Sequence, residues 1–323
     1  MPSRLWLPLV CAALLLSTRA GMAQQWPERT VKVVVPYGVG GITDTMARLT
    51  ADRLGKILNQ PFVVEAKPGA GGAIGINYAM QSPQDGYTIL FVGSTLFTVL
   101  PLVQRVDYVP LKDLVPVSIT GTNGMIMVVA KEAPYSSLAE FIAYARADPG
   151  KVNYSSGGAS GNNHLSSAYL AGKLGLDMVH VPFRGGQPAV QAVLSKSIEM
   201  HFGNASDLIE MVQSRELKAL AVSTPKRMAQ LPAVPTVAET VPGFEYLAWN
   251  GYAVTGGVPA VVVDRLAGAL KTVALDPRVI EIFAKLGIES VGSTPAQAVE
   301  IIAKDLPVYS QIIDMAGVQR VQP

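Results

Sequence analysis

Cysteine is almost missing from this chain of 323 residues: Cys11 is the only one. That excludes a disulfide framework, and it excludes thiol catalysis anywhere beyond residue 11. Charge is also scarce, at 15% of residues, and nearly balanced, with 26 Lys and Arg against 24 Asp and Glu. A net +2 offers none of the clustered basic surplus that a nucleic-acid binder needs. The three histidines, His164, His180 and His201, show no His-Glu-x-x-His and no other close ligand spacing, so no metal site is expected. Beyond the N-terminus no apolar run reaches the ~18 residues needed to cross a bilayer. What is present is a 49% hydrophobic content, too high for a disordered chain. The length suits one large domain or two of about 150 residues.

The first 23 residues read as a secretory signal peptide. Arg4 supplies the positive start, Leu5 to Leu16 the apolar stretch, and Gly21-Met22-Ala23 the small residues before a cleavage site. Cys11 sits inside the apolar stretch and not at its end, which argues against a lipid-anchored product. Removing residues 1–23 also removes Arg4 and Arg19. The 300 residues that remain carry 24 basic and 24 acidic side chains and no cysteine. A soluble protein outside the inner membrane is expected.

After residue 23 the pattern alternates. Thr30–Tyr37, Phe62–Glu65 and Tyr87–Ser94 are apolar enough for buried strands. Between them lie glycine loops and helical spacing, as in Ile42, Met46, Leu49 and Leu54. A second series follows, with strands expected at 125–130, 152–156, 178–183, 198–202 and 217–222. Helices are expected at 138–147, 163–174, 188–195 and 205–213. After a Pro-rich passage at 231–243 come a strand near Trp249 and helices at 260–274, 278–286 and 295–313. Strand–helix alternation of this kind predicts an α/β fold with mostly parallel sheets. Val35-Pro36-Tyr37 before Gly40-Gly41 is echoed by Val181-Pro182-Phe183 before Gly185-Gly186. Both segments stand between a strand end and a helix, where ligands bind in open α/β sheets.

The Gly38-Val39-Gly40-Gly41 loop is not a dinucleotide fingerprint, because its spacing is G-x-G-G, and no lysine-bearing phosphate loop occurs. No cofactor is expected. Gly40 and Gly41 do allow close backbone approach, and the helix after them presents free N–H groups suited to a carboxylate or phosphate. Asp44 falls three positions after Gly41, where its side chain can cap that helix. Facing a carboxylate directly, it would need a proton, a water or an amine between them. Ser94 and Thr95 at a strand end can donate hydrogen bonds without adding charge. The loop Tyr154–His164, rich in Gly, Ser and Asn, is a second anion-binding candidate through Ser156 and Ser160. Arg184 can meet a substrate charge in bidentate fashion. Tyr37 and Trp249 could line the apolar part of a pocket. There is no Gly-x-Ser-x-Gly elbow, so a hydrolase finds little support.

In order along the chain, VVVPYGVGGITDTMAR (33–48), EAKPGAGG (65–72), DGYTIL (85–90), YSSGG with HL (154–165), VHVPFRGGQPA (179–189), LKALAVSTPKR (217–227), LPAVPTVAE (231–239) and PGFEYLAWNG (242–251) form a recognisable set of blocks. The chain resembles the periplasmic substrate-binding proteins of tripartite tricarboxylate transporters, the TctC or Bug-like family. The resemblance implies a two-lobed fold of the type II binding-protein kind, each lobe a mostly parallel sheet flanked by helices, with strands crossing between lobes. Lobe 1 would be 24–123 plus 253–323 and lobe 2 would be 124–252.

The resemblance further implies a non-catalytic, monomeric periplasmic receptor that closes over a small mono- or dicarboxylate and delivers it to membrane permease subunits. Tyr37, Gly40, Gly41, Asp44, Ser94 and Thr95 would hold the ligand from lobe 1, and Ser156, Ser160, Arg184 and Gly203 from lobe 2. A membrane sensor kinase is the alternative recipient of the closed form, and an exported hydrolase a remoter reading. Three departures stand out. Leu100 precedes Pro101 where relatives carry an Asn, Gly203 stands where they carry an Asp, and Gly158-Ala159-Ser160-Gly161 replaces G-x-G-[ST]. Loss of the acid at Gly203 points to a ligand without an amino group there, or to a bulkier one such as an aromatic acid.

Overall fold

The computed structural model describes residues 26–321, so the expected signal peptide lies outside the described residues. In chain order the elements are β1 (Val31–Val35), α1 (Ile42–Leu58), β2 (Phe62–Ala66), α2 (Ala73–Met80), β3 (Thr88–Gly93), and the short turns α3 (Thr95–Thr98) and α4 (Leu100–Val103). Then come β4 (Leu114–Ala130), α5 (Leu138–Ala147), β5 (Val152–Ser156), α6 (Asn162–Leu174), β6 (Met178–Pro182), α7 (Gly186–Leu194), β7 (Met200–Asn204), α8 (Ala205–Gln213) and β8 (Leu217–Val222). The chain finishes with β9 (Leu247–Thr255), α9 (Ala260–Ala274), α10 (Pro277–Lys285), β10 (Ile288–Ser290) and α11 (Pro295–Met315).

Two parallel groups of strands are joined through one long strand. β1 runs parallel to β2 and β3, and β5 runs parallel to β6 and β7. β4 is antiparallel to β9 and β10 along its first half, and to β7 and β8 along its second half. The result is a mixed α/β architecture whose antiparallel pairs lie where the chain crosses. β4 can serve both groups because its glycines let neighbours come close. A Cβ on Gly121 would stand 2.8 Å from Ile288 Cγ2, and one on Gly124 would collide with Thr224. Pro116 has no N–H to give, and the β4–β9 register shifts beside it.

Each parallel group is packed on both faces. On the first, α1 places Met46, Ala47 and Leu54 beside Leu266 and Leu270 of α9 and Phe283 of α10. The spacing of its buried residues, 44, 46, 47, 50, 51 and 54, is that of one helical face. The other face takes Ile76, Leu96 and Phe97, with Ala298 and Ile302 from the front of α11. In the second group, Phe141, Leu165 and Leu170 form one core together with Tyr309, Ile312 and Ile313 from the back of α11, while Val190, Val193, Leu208 and Ile209 form another. Fully burying an aliphatic or aromatic side chain of this size contributes roughly 1.5–3 kcal/mol.

Two features bear on how the chain is divided. β9 is hydrogen-bonded along its length to β3 and the first half of β4, so a boundary at 252/253 would fall inside a strand of the first group. The last helix does not return wholly to the first group: it divides between the two cores, with Pro307 inside it.

Candidate functional site

A cleft of about 790 Å³ opens where strand ends from both groups meet. Its walls are the Pro36–Gly38 turn after β1, the glycine loop at 68–72, α3 and α4, the 159–162 loop before α6, and Val318-Gln319 beyond α11. The glycine loop is shaped by need: Gly69 and Gly72 have φ of 131° and 110°, and a Cβ on Gly72 would stand 2.6 Å from Leu96 Cδ2.

Of the expected residues, Tyr37, Thr95 and Ser160 line this cleft. Tyr37 Oη accepts the Gly93 N–H at 3.3 Å. Burial pushes its phenol up, against smaller opposing effects of Thr95 and Gly93, so it stays neutral. Behind it, buried Asn250 donates through Nδ2 to Thr43 Oγ1 at 3.2 Å in the first turn of α1. Thr95 opens α3.

Gly40 and Gly41 are exposed, do not line the cleft, and have open space around an added Cβ. Asp44 is buried, and its side chain takes a backbone N–H one residue ahead of the Gly41 N-cap and not one of the helix itself. Its Oδ2 accepts from the Gly40 N–H at 3.1 Å and from Arg48 Nε at 3.0 Å, while Oδ1 has no partner. Burial opposes its ionisation, but Arg48 and the Gly40 N–H outweigh this and hold the carboxyl below its ordinary value. Ser94 is buried behind Thr95, its N–H given to the Trp249 carbonyl at 2.9 Å. Trp249 is itself packed on Phe97, its Nε1 donating to Asp305 Oδ2 at 2.8 Å.

On the opposite side Ser160 stands at the cleft in the left-handed region, φ 64°. Its N–H donates to His164 Nδ1 at 3.1 Å, so that nitrogen carries no proton. His164 is stacked on His180 with ring centroids 3.7 Å apart, and Tyr154 lies against both. Burial, and then His180, push the His164 imidazole down to about 4. Ser156 is fully buried: its Oγ reaches the Gly158 carbonyl at 3.0 Å and His180 Nε2 at 2.6 Å, so it braces the loop from below. Arg184 is exposed outside the cleft lining.

Gly203 is buried, away from the cleft, because the His201 ring occupies the space a side chain would need: a Cβ there would stand 2.6 Å from His201 Cδ2. His201 Nδ1 donates to the Ser155 carbonyl at 3.1 Å, and burial pushes this imidazole down to about 4 against that bond.

Sequence reading named Gly38 and Asn162 only within their loops and did not single out Val99, Val103, Gln104, Val318 or Gln319; all of these line the cleft. Asn162, held by Tyr246 Oη at 3.0 Å, begins α6, whose first backbone bond runs from Leu165 N–H to the Gly161 carbonyl. The N–H groups of that first turn are therefore left for a ligand or water.

Residues 46–318 match the family model described as the tripartite tricarboxylate transporter family receptor, TctC. The chain belongs to this family. It is an extracytoplasmic solute-binding receptor that works with a tripartite transporter permease, and family membership places it in the periplasm. It is 32% identical to the protein BugT of Bordetella pertussis over 298 residues, 91% of each chain. Its fold is similar to R. palustris Rpa4515 solved with adipate, at TM-score 0.82 and 28% identity, covering 91% of this chain and 99% of that one. MatC from Rhodopseudomonas palustris with bound malate is similar at TM-score 0.78 and 27% identity, covering 89% and 100%. Among the described residues no three His, Cys, Asp or Glu side chains are grouped to hold a metal ion.

Proposed function

We propose that this receptor captures a small organic carboxylate in the 790 Å³ cleft and presents it, closed, to its permease, acting as a monomer released by cleavage after Ala23. The observation that carries the reading is the composition of the cleft: backbone-rich glycine turns and the open first turn of α6 face it, and no charged side chain lines it. Oriented N–H groups can hold a carboxylate without a basic residue. The adipate and malate bound by two similar proteins are acids of this kind.

In this reading Tyr37, Thr95 and Ser160 meet the ligand. Gly40, Gly41 and Asp44 shape the turn that approaches it, and Arg184 closes over it from the rim. Ser94, Ser156 and Gly203 act one layer behind. The lobes divide at about residue 123 and again before β9, with α11 shared between them. Closure then bends the chain at β4 and at the segment leading into β9.

Gly38→Val is the direct test. An added Cβ at Gly38 meets nothing within 4 Å, so unliganded stability should not change while the cleft fills. Thermal shift with malate, adipate, hexanoate and benzoate should show carboxylate stabilisation in the parent and a loss of at least tenfold in affinity in the variant. Unaltered affinity would place the ligand elsewhere.

A further inference from the structure

The cleft changes character along α3 and α4. Thr95, at its polar end, is followed by Val99 between the two turns and by Leu100 and Val103 of α4. Val318, pinned by the bond from Val321 N–H to the Leu102 carbonyl at 2.9 Å, completes an apolar wall. Leu100 is 7% exposed and lies over the glycine loop, where a Cβ on Gly71 would stand 2.9 Å from its Cδ1.

No cationic side chain is among the residues that line the wall. Arg105, next to Gln104, is exposed outside the lining, and Arg320 is turned to Asp314 and Ser310 at 2.8 Å. Gln104 directs its Nε2 to the Ala70 carbonyl at 3.4 Å, which leaves an acceptor oxygen on that side chain. A second carboxylate placed here would lose water and meet no cationic side chain in the wall itself. A hydrocarbon surface placed here would be favoured instead.

Resting on the carboxylate-cleft reading, we propose that the ligand is a monocarboxylate with an apolar body, an aromatic ring or an aliphatic chain. Its acid group lies at the Tyr37–Thr95–Asn162 end and its body lies against Leu100, Val103 and Val318. The receptor discriminates against diacids of the same length. Leu100 is the specificity-determining residue.

Calorimetric titration of the full mature chain with matched pairs tests this: hexanoate against adipate, and benzoate against terephthalate. The monoacid of at least one pair should bind at least tenfold tighter than its diacid. Leu100→Asn should weaken that monoacid at least fivefold and reduce the preference for it. Leu100→Met should keep both, and the unliganded unfolding midpoint reports whether each variant folds.

Equal or tighter diacid binding that Gly38→Val abolishes would overturn the proposal and leave the carboxylate cleft standing. A monoacid preference unchanged in a folded Leu100→Asn protein would also overturn it. Binding of none of the four acids to a folded protein would overturn this proposal together with the carboxylate reading beneath it.

Discussion

Replacing Gly203 by alanine should destabilise the receptor through His201. Gly203 lies in β7, paired with Ile126 of β4, and its φ is not in the left-handed region, so backbone strain plays no part. The added methyl would stand 2.6 Å from His201 Cδ2 and 2.9 Å from Leu208 Cδ1. Neither neighbour can give way cheaply. The His201 ring is tied to the Ser155 carbonyl, and Leu208 is fully buried in the α7–α8 core. Overpacking of this kind costs about 1–3 kcal/mol. In a protein of this size each kcal/mol lowers Tm by about 2–4 °C or somewhat less. The informative experiment is a double-mutant cycle in urea. In a His201→Ala background the imidazole is gone while the Leu208 contact remains, and Gly203→Ala should then cost less than in the parent by a coupling of roughly 1–2 kcal/mol. An equal cost of Gly203→Ala in both backgrounds would refute the argument that His201 occupies this space.

Two further measurements probe the cores. His164 and His201 are held near 4 by burial, against 6.5 when exposed, so between those values the unfolded chain binds more protons than the folded one. Their contribution is whole above pH ~6.5 and is lost as pH falls toward 4, on the order of 2–3 kcal/mol for each imidazole. Urea midpoints at pH 7.5, 6 and 5 should fall together, and a profile flat over that range contradicts the burial argument. Thr50→Val removes the hydroxyl that meets Tyr252 Oη at 2.9 Å inside the first core, leaving a buried phenol unpaired. It should cost about 1–3 kcal/mol by denaturation, while Thr45→Val, at an exposed position of the same helix, should cost under ~0.5 kcal/mol.

Much of the fold could be read from residue order because its strands are short, apolar and bounded by glycine or helix starts. β5 and β8, and the helices at 138–147, 205–213 and 260–274, lie at the expected residues. β4 was harder. Its first half contains Pro116, Ser118, Thr120 and Asn123, polar or proline positions that hide a strand when read locally. They are accommodated by partners far away in sequence: Thr120 Oγ1 donates to the Asn250 carbonyl, and the Ile119 N–H is taken by Ser293 Oγ. α11 was visible as a helix but not as a bridge. Nothing in its periodicity says that Ala298 and Ile302 join one core while Ile312 and Ile313 join another.

The turns that build the cleft were legible where backbone chemistry makes them. Glycine turns and a Gly-Ser-Asn loop at strand ends announce themselves by composition, and the cleft forms at Tyr37, Thr95 and Ser160. Side-chain roles were not readable in the same way, because a hydroxyl near a strand end has the same sequence signature whether it faces ligand or loop. Ser156 illustrates the difference: as a free donor it would suit a carboxylate, yet its Oγ is committed to the Gly158 carbonyl and His180. Ser160 stands at the surface only because Ser156 and His164 hold the turn beneath it. The apolar wall was hidden for another reason. Val318 lies more than two hundred residues from Leu100, and the tail is brought to the cleft by contacts such as the bond from Val321 N–H to the Leu102 carbonyl. Leu100 was noticed as a departure from its relatives, but its chemical meaning depends on Val318 standing beside it.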